Sequence, residues 1–135
     1  MQNEVLEGRN LYLADTSEDS MKVNAYIDKR AAEDPSFTFR PDRLKLLLSY
    51  HYFKSVDLFA LMGKYFGDKP PMIFIDSGGF SAATQGVEIN IDEYIEFLKK
   101  YDSLITVKAN LDVIGNPEKT YEQQKYMESK GVTPI

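Results

Sequence analysis

From Leu44 onward, short apolar stretches alternate with amphipathic stretches in a regular order. The pattern predicts strands at residues 44–53, 72–76 and 104–114, helices at 56–66, 91–102 and 116–130, and the opening of another strand at 132–135. Strands that alternate with helices usually pair in parallel, through right-handed crossovers. The alternation therefore predicts an α/β protein with a parallel sheet.

The predicted helices carry start and stop signals. Ser55, Asn90 and Asn116 each precede a helical stretch and are expected to be N-caps, because their side chains can accept a hydrogen bond from the first turn. Gly67 and Gly131 follow helical stretches and are expected to end them.

Residues 1–43 are less regular. A short strand is predicted at Leu11–Ala14, followed by a surface excursion that is helical near its centre. Two prolines predict an irregular segment at 35–43. We expect one domain over residues 1–135, with regular β/α units from 44 to 135 and no functional assignment for residues 16–43.

Two architectures are compatible with this order of elements. An open doubly wound sheet that binds nucleotides carries a glycine-rich turn after its first strand, and neither GxGxxG nor GxxxxGK[ST] occurs here. A (β/α)8 barrel takes typically ~250 residues, and only four or five strands can be counted in this chain. We therefore predict the N-terminal part of a (β/α)8 TIM-type barrel, completed by a larger domain or by a second chain.

Composition excludes several kinds of site. The chain has no cysteine and one histidine, which excludes disulfides, thiol nucleophiles and cysteine or multi-histidine metal sites. We predict no cofactor.

No apolar run approaches the ~20 residues of a membrane span, and the N-terminus lacks the pattern of a signal peptide. The net charge of −5 argues against wrapping nucleic acid by charge alone.

Two aspartates follow neighbouring predicted strands. MIFID ends on Asp76, and Asp112 follows the apolar part of the next strand. Because the carboxyl ends of adjacent parallel strands lie side by side, both carboxylates are expected at one pocket, where different surroundings can give them different roles. Alternatively, Asp76 caps a tight turn, and Asp112 caps a loop or pairs with Lys108.

The residues around these strand ends suit a flat ligand. Gly78 and Gly79 leave the backbone accessible to close approach, although a tight turn alone would also require them. The stretch SYHYF, residues 49–53, offers rings that can stack on a planar molecule. His51 can exchange protons there, or can be a packing residue.

In this order, SYHYF, DSGGF and NLDVIG resemble segments of the tRNA-guanine transglycosylase family, and above all of its phage members thought to act on DNA guanine. DSGGF, residues 76–80, matches the family's DSGG followed by an aromatic residue, and Ser81 replaces a glutamine that often comes next. Tyr50 and His51 match the family's N-T-Y-H segment, whose asparagine is missing here. The resemblance covers roughly residues 44–135.

The resemblance implies a cytoplasmic pentosyltransferase (in the host cytoplasm if the chain is viral) with a (β/α)8 barrel. It would exchange guanine in DNA or tRNA for a 7-deazaguanine through a covalent aspartyl intermediate. Asp76 would be catalytic, holding the base and shuttling a proton. The substrate-binding residues would be Ser77, Gly78, Gly79, Phe80, Asp112, Tyr50 and His51. The family's nucleophilic aspartate and the zinc site of its tRNA-acting members lie on later segments, so this chain alone is expected to be catalytically incomplete.

Two other hypotheses remain open from the residues. The chain could be a non-catalytic binding protein, a half-barrel that stands alone or associates with a copy of itself. It could also be another carboxylate-dependent β/α enzyme, such as a glycosidase or a magnesium-dependent hydrolase, which needs no pocket for a base.

Overall fold

The computed structural model describes residues 13–15, 29–30, 32–34, 36, 45–67 and 70–135. Its strands are β1 (Leu13–Asp15), β2 (Lys45–Ser49), β3 (Met72–Asp76) and β4 (Ile105–Lys108). All neighbouring pairs are parallel, and the strands lie in the sheet in chain order. The predicted α/β class with a parallel sheet is confirmed.

The helices described after β2 are α1 (Tyr50–Phe53), α2 (Leu58–Phe66), α3 (Gly79–Thr84), α4 (Ile91–Lys100) and α5 (Pro117–Ser129). Of these, α2 separates β2 from β3, α4 separates β3 from β4, and α5 follows β4. These three correspond to the helices predicted from the sequence. The short helices α1 and α3 were not predicted.

Two predicted N-caps are confirmed by their hydrogen bonds. The Asn90 side chain accepts from the amides of Asp92 at 2.9 Å and Glu93 at 3.1 Å, and it starts α4. The Asn116 side chain accepts from the amide of Lys119 at 3.0 Å and starts α5. Each cap satisfies backbone donors that have no partner inside the helix.

The start of α2 differs from the prediction. Asp57, not Ser55, is its N-cap, and the Asp57 carboxylate accepts from the amide of Ala60 at 3.2 Å. The predicted helical stops are confirmed: Gly67 and Gly131 follow α2 and α5 with φ angles of 52° and 86°. Positive φ is a conformation that glycine adopts without a steric penalty.

One face of the central strands β2 and β3 is completely covered. Leu46 and Leu48 of β2, and Ile73 and Ile75 of β3, have no exposed surface, while the residues between them are half-buried. This alternation follows from the pleat of a strand, which sends successive side chains to opposite faces. The covered face belongs to one apolar cluster with residues of the helices, among them Phe53, Leu58, Leu61, Met62, Phe66, Tyr94, Ile95, Phe97, Leu98 and Met127.

The strand predicted at 44–53 is wrong beyond Ser49. The chain turns into α1, where Tyr50 is 4% exposed, Phe53 is 1% exposed and Tyr52 between them is 39% exposed. Burial at a spacing of three residues fits a helical turn, which places i and i+3 on one side. A strand would have put Tyr50 and Tyr52 on the same face.

The strand predicted at 104–114 is also shorter, since β4 ends at Lys108. Directly beyond it the amide of Ala109 still donates to the carbonyl of Ile75 in β3 at 2.8 Å. From Leu111 the chain is held by α5: Thr120 Oγ1 accepts from the amide of Val113 at 2.8 Å, and Gln123 Nε2 donates to the carbonyl of Leu111 at 3.0 Å. The strand expected at 132–135 does not form. The amide of Ile135 nevertheless donates to the carbonyl of Lys108 at 3.0 Å, alongside β4.

Most of the N-terminal prediction lies outside the described residues. The strand predicted at Leu11–Ala14 is observed at Leu13–Asp15, and residues 29–30 and 32–33 are helical, but the rest of 16–43 is hardly described. In the parts of the chain that the structure covers, no helix has the length and apolarity that crossing a membrane would require.

Candidate functional site

The carboxyl ends of β2 and β3 lie at the same level. Ser49 is the register partner of Asp76, and one residue further on the amide of His51 donates to the carbonyl of Ser77 at 3.3 Å. Parallel pairing predicts this arrangement, because it brings equivalent strand ends to one edge of the sheet. The segments SYHYF and DSGGF are therefore in direct contact.

Gly78 makes that contact possible. Its φ is 75°, and a Cβ atom built on it would lie 2.2 Å from Ser49 Oγ and 2.7 Å from the Cβ of His51. Only glycine meets both conditions, the left-handed backbone and the absence of a side chain. The amide of Gly78 donates to Asp76 Oδ2 at 3.1 Å, so the turn also orients that carboxylate.

Gly79 connects the same turn to the segment that carries Asp112. A Cβ atom on Gly79 would lie 3.3 Å from the carbonyl oxygen of Asp112, and its amide donates to Ser77 Oγ at 3.2 Å. The turn at 76–79 is therefore enclosed by α1 on one side and by residue 112 on the other. The backbones of the two aspartate-bearing segments are close together here, but the cavity beside them is lined by Asp112 and not by Asp76, so the prediction that both carboxylates lie at one pocket stays a prediction.

The pKa of a buried tyrosine is affected by both carboxylates. Tyr94 of α4 has no exposed surface, and its hydroxyl donates to the carbonyl of Ala109 at 2.7 Å. Burial raises the pKa of Tyr94, and the negative charges of Asp76 and Asp112 raise it further. Asp76 is half-buried and Asp112 is exposed, so the two carboxylates share a neighbourhood but not the same degree of solvation.

A cavity of about 240 Å³ adjoins this region. One wall of the cavity is formed by α3 and the chain that follows it, and the other by the segment 111–114 and α5. Gly79 and Asp112 both border it. Its walls combine apolar side chains with polar ones, among them Glu88, Lys119 and Gln123. The volume is below the ~300–1,000 Å³ typical of sites for drug-sized ligands. It therefore suits a small molecule or one ring system.

The other predicted site residues differ in accessibility. Tyr50 is buried, with its ring centroid 5.0 Å from that of Tyr94 and 5.1 Å from that of Phe97. Ser77 is also buried and supports the turn through its hydroxyl. Phe80, by contrast, is 69% exposed and has a free ring surface beside the turn.

No motif in the sequence distinguishes Gln85, and Tyr52 is marked only as one of the rings of SYHYF. Gln85 Oε1 lies 2.8 Å from His51 Nε2, and Gln85 Nε2 donates to the hydroxyl of Tyr52 at 3.2 Å. Tyr94 was likewise overlooked, because its place in the amphipathic pattern of α4 is that of an ordinary core residue. No sequence motif sets Tyr94 apart from the other core residues of α4, whereas Tyr52 is next to His51 in the aromatic segment SYHYF.

Within the described parts of the chain, no group of three histidine, aspartate or glutamate side chains is arranged to hold a metal ion. The comparisons with known proteins give no relative: neither the protein-family models, nor the curated proteins, nor the solved structures contain a match to this chain. Interpretation of the site therefore depends on its own chemistry and on the sequence motifs.

Proposed function

We propose that this chain provides the base-binding and proton-transfer part of a transglycosylase that replaces guanine in DNA or tRNA with a 7-deazaguanine. The observation that carries the proposal is the junction at Gly79, where the turn that orients Asp76 touches the backbone of Asp112. Base exchange needs one polar group to recognise the base and one to move a proton. Asp112 lines the cavity, and Asp76 belongs to the turn that borders the cavity at Gly79.

The winding of the chain supports a barrel of the (β/α)8 type. In a doubly wound sheet the strand order reverses at a switch point. Here the order β1-β2-β3-β4 has no reversal among the described strands. When each new strand is added to the same edge of a sheet through a right-handed crossover, all the connecting helices lie on the same face of the sheet. In agreement with this, α2, α4 and α5 all contribute residues to the same core cluster.

The chemistry assigns different roles to the two aspartates. When a carboxylate attacks the anomeric carbon of the nucleotide, the bond to the base nitrogen breaks and the departing ring takes up a proton. Asp76, half-buried and held by the Gly78 amide, is proposed to deliver that proton and to take one back from the ring N–H of the incoming 7-deazaguanine. Asp112 is proposed to accept hydrogen bonds from the base edge. In the family that the motifs resemble, the attacking carboxylate follows a later strand, so we assign the covalent step to no residue described here.

The surroundings suit a flat base taken out of its stack. An enzyme that acts on a base must extrude it and hold it against aromatic or apolar surface. The exposed ring of Phe80, the apolar side chains of the cavity walls and the bare backbone at Gly79 supply such surface. Nucleic acid and a free 7-deazaguanine are accordingly the proposed partners.

Calorimetry with guanine and with a 7-deazaguanine tests the proposal. Binding is expected for the unmodified chain. Asp76→Asn and Asp112→Asn should each weaken it about tenfold or more, because a hydrogen bond to a charged group is worth ~1.5–3 kcal/mol. Glu96→Gln, at an exposed carboxylate of α4, is the matched control and should bind normally.

Normal binding by both aspartate variants would refute the assignment of these residues. Binding of a sugar or of Mg²⁺ in place of a base would favour a glycosidase or a hydrolase. Calorimetry with a guanine-containing DNA and with tRNA, measured side by side, then decides between the two nucleic acids.

A further inference from the structure

A pair of side-chain hydrogen bonds joins α1 to the end of α3, and the base-exchange chemistry proposed above makes no use of it. His51 and Tyr52 are neighbours in α1, with ring centroids 5.0 Å apart. Gln85 reaches both: its Oε1 is 2.8 Å from His51 Nε2, and its Nε2 donates to the Tyr52 hydroxyl at 3.2 Å. One amide group thus ties the two short helices together.

The backbone holds Gln85 in place for this contact. It is the C-cap of α3, and its amide lies 3.1 Å from the carbonyl oxygens of both Ser81 and Ala82. Directly after it, the chain turns at Gly86, whose φ is 70°. The amide of Val87 then donates back to the carbonyl of Ala82 at 2.8 Å. The side chain of Gln85 therefore starts from a fixed point.

Two arrangements of protons would fit the same distances. In the first, His51 Nε2–H donates to Gln85 Oε1, and the Gln85 amide donates to Tyr52. In the second, the side-chain amide of Gln85 is turned over, Tyr52 donates to it, and it donates to His51 Nε2, so the ring proton must sit on Nδ1. The assignment of amide and imidazole atoms always depends on such a choice.

The surroundings of Nδ1 decide between them. This atom is buried, and among the described residues it has no hydrogen-bond partner. The second arrangement would bury an N–H donor without an acceptor, whereas the first buries only an unused lone pair. Unpaired buried N–H groups are rarer in proteins than acceptors with spare capacity. The first arrangement is favoured.

We propose that Gln85 is a positioning residue, which holds His51 in the tautomer protonated on Nε2 and thereby fixes α1 against the turn at 76–79. His51 packs on that turn directly, since its amide donates to Ser77 and its Cβ crowds Gly78. The inference deepens the proposed function by naming what keeps the Asp76 turn in position. The direction of the hydrogen bonds does not depend on what the turn binds.

Nitrogen NMR of the full 135-residue chain tests the tautomer. His51 is the one histidine, so the two ring nitrogens of a histidine-labelled sample need no further assignment to a residue. In the unmodified chain, at a pH where the ring is neutral, we expect the proton on Nε2. Gln85→Glu keeps an acceptor and should keep this tautomer. Gln85→Leu removes the acceptor and should give an average of both tautomers.

Gln124→Leu is the control, because the half-buried Gln124 donates to Glu128 Oε1 at 3.1 Å within α5, away from His51 and Gln85. It should leave the His51 signals unchanged. A proton on Nδ1 in the unmodified chain would overturn the inference, and so would a spectrum of Gln85→Leu that matches the unmodified chain.

Hydrogen exchange of the Gly78 amide tests the positioning. Loss of the link in Gln85→Leu should speed this exchange about fivefold relative to the core amides, which corresponds to one net hydrogen bond. Unchanged exchange would show that Gln85 does not hold the turn. If the unmodified chain binds no base but shows the expected His51 spectrum, the proposed function alone is contradicted. If it binds the base but carries the His51 proton on Nδ1, this inference alone is contradicted.

Discussion

Replacing Gly78 with alanine should be the most damaging glycine substitution at the carboxyl edge of the sheet. The new methyl group would meet Ser49 Oγ at 2.2 Å and the Cβ of His51 at 2.7 Å, both well inside van der Waals contact. The hydroxyl can rotate away. The Cβ of His51 cannot, because the backbone of α1 would have to move with it.

The expected loss combines two terms. A residue with a Cβ atom at a φ of 75° costs about 1–2 kcal/mol for the left-handed backbone. Overpacking in a tight site adds about 1–3 kcal/mol. Gly78→Ala should therefore lower the free energy of unfolding by about 2–5 kcal/mol, a large part of the ~5–15 kcal/mol that stabilises a typical protein.

Urea titrations of Gly78→Ala and Gly115→Ala separate the terms. Gly115 has a φ of 77°, but a Cβ atom there would have no neighbour within 4 Å, so it reports the backbone term alone. Both variants also restrict the unfolded chain equally, and that effect cancels in the comparison. The difference between them should be the packing term of about 1–3 kcal/mol.

A cost for Gly78→Ala no greater than that of Gly115→Ala would show that the contacts to Ser49 and His51 add nothing. Adding Ser49→Ala to Gly78→Ala removes the closest contact and should recover part of the packing term. The remaining loss is the backbone term together with the contact to His51. Recovery to the level of Gly115→Ala would show that the α1 backbone does not limit the space at Gly78.

Three further perturbations test the helices and the core. Asp57→Ala should lower the free energy of unfolding, measured in urea, by about 0.5–2 kcal/mol, because it removes the N-cap acceptor of α2. Ser55→Ala should change it by no more than about 0.5 kcal/mol, and equal losses would contradict the assignment of the cap. Burial raises the pKa of Tyr94 above its ordinary value of 10.0, so above that pH the unfolded chain releases this proton first and stability falls as pH rises. The unmodified chain should lose up to about 1.4 kcal/mol per pH unit more than Tyr94→Phe; parallel pH curves would refute this. Met127→Ala, at a residue with no exposed surface, should cost about 2–5 kcal/mol, and a loss under about 1 kcal/mol would show that α5 is not packed on the core.

The sequence predicted best where two independent signals agreed. The helix after Asn90 has both an amphipathic pattern and a cap, and so has the helix after Asn116; both were found where expected. The meeting of the Asp76 and Asp112 segments followed from topology alone, because parallel strands bring their carboxyl ends to one edge. It required no knowledge of side-chain packing.

What the sequence missed depends on contacts between distant residues. The aromatic run at 50–53 is compatible with a strand or with a helical turn, and packing against Tyr94 and Phe97 decides for the turn. Two glycines before Phe80 suggested a loop, yet α3 begins at the second of them. The contact between Gln85 and His51 spans 34 positions of the chain and follows no motif.

The chain-ordered sheet has a consequence for how the molecule is made. Each strand pairs with the strand that comes next in the chain, and register partners are about 30 residues apart, so every pairing closes a loop of similar and moderate length. During synthesis a new strand can dock as soon as it leaves the ribosome, onto an edge that is already formed. The protein can therefore assemble from its N-terminus onward, one β/α unit at a time, without waiting for a distant partner.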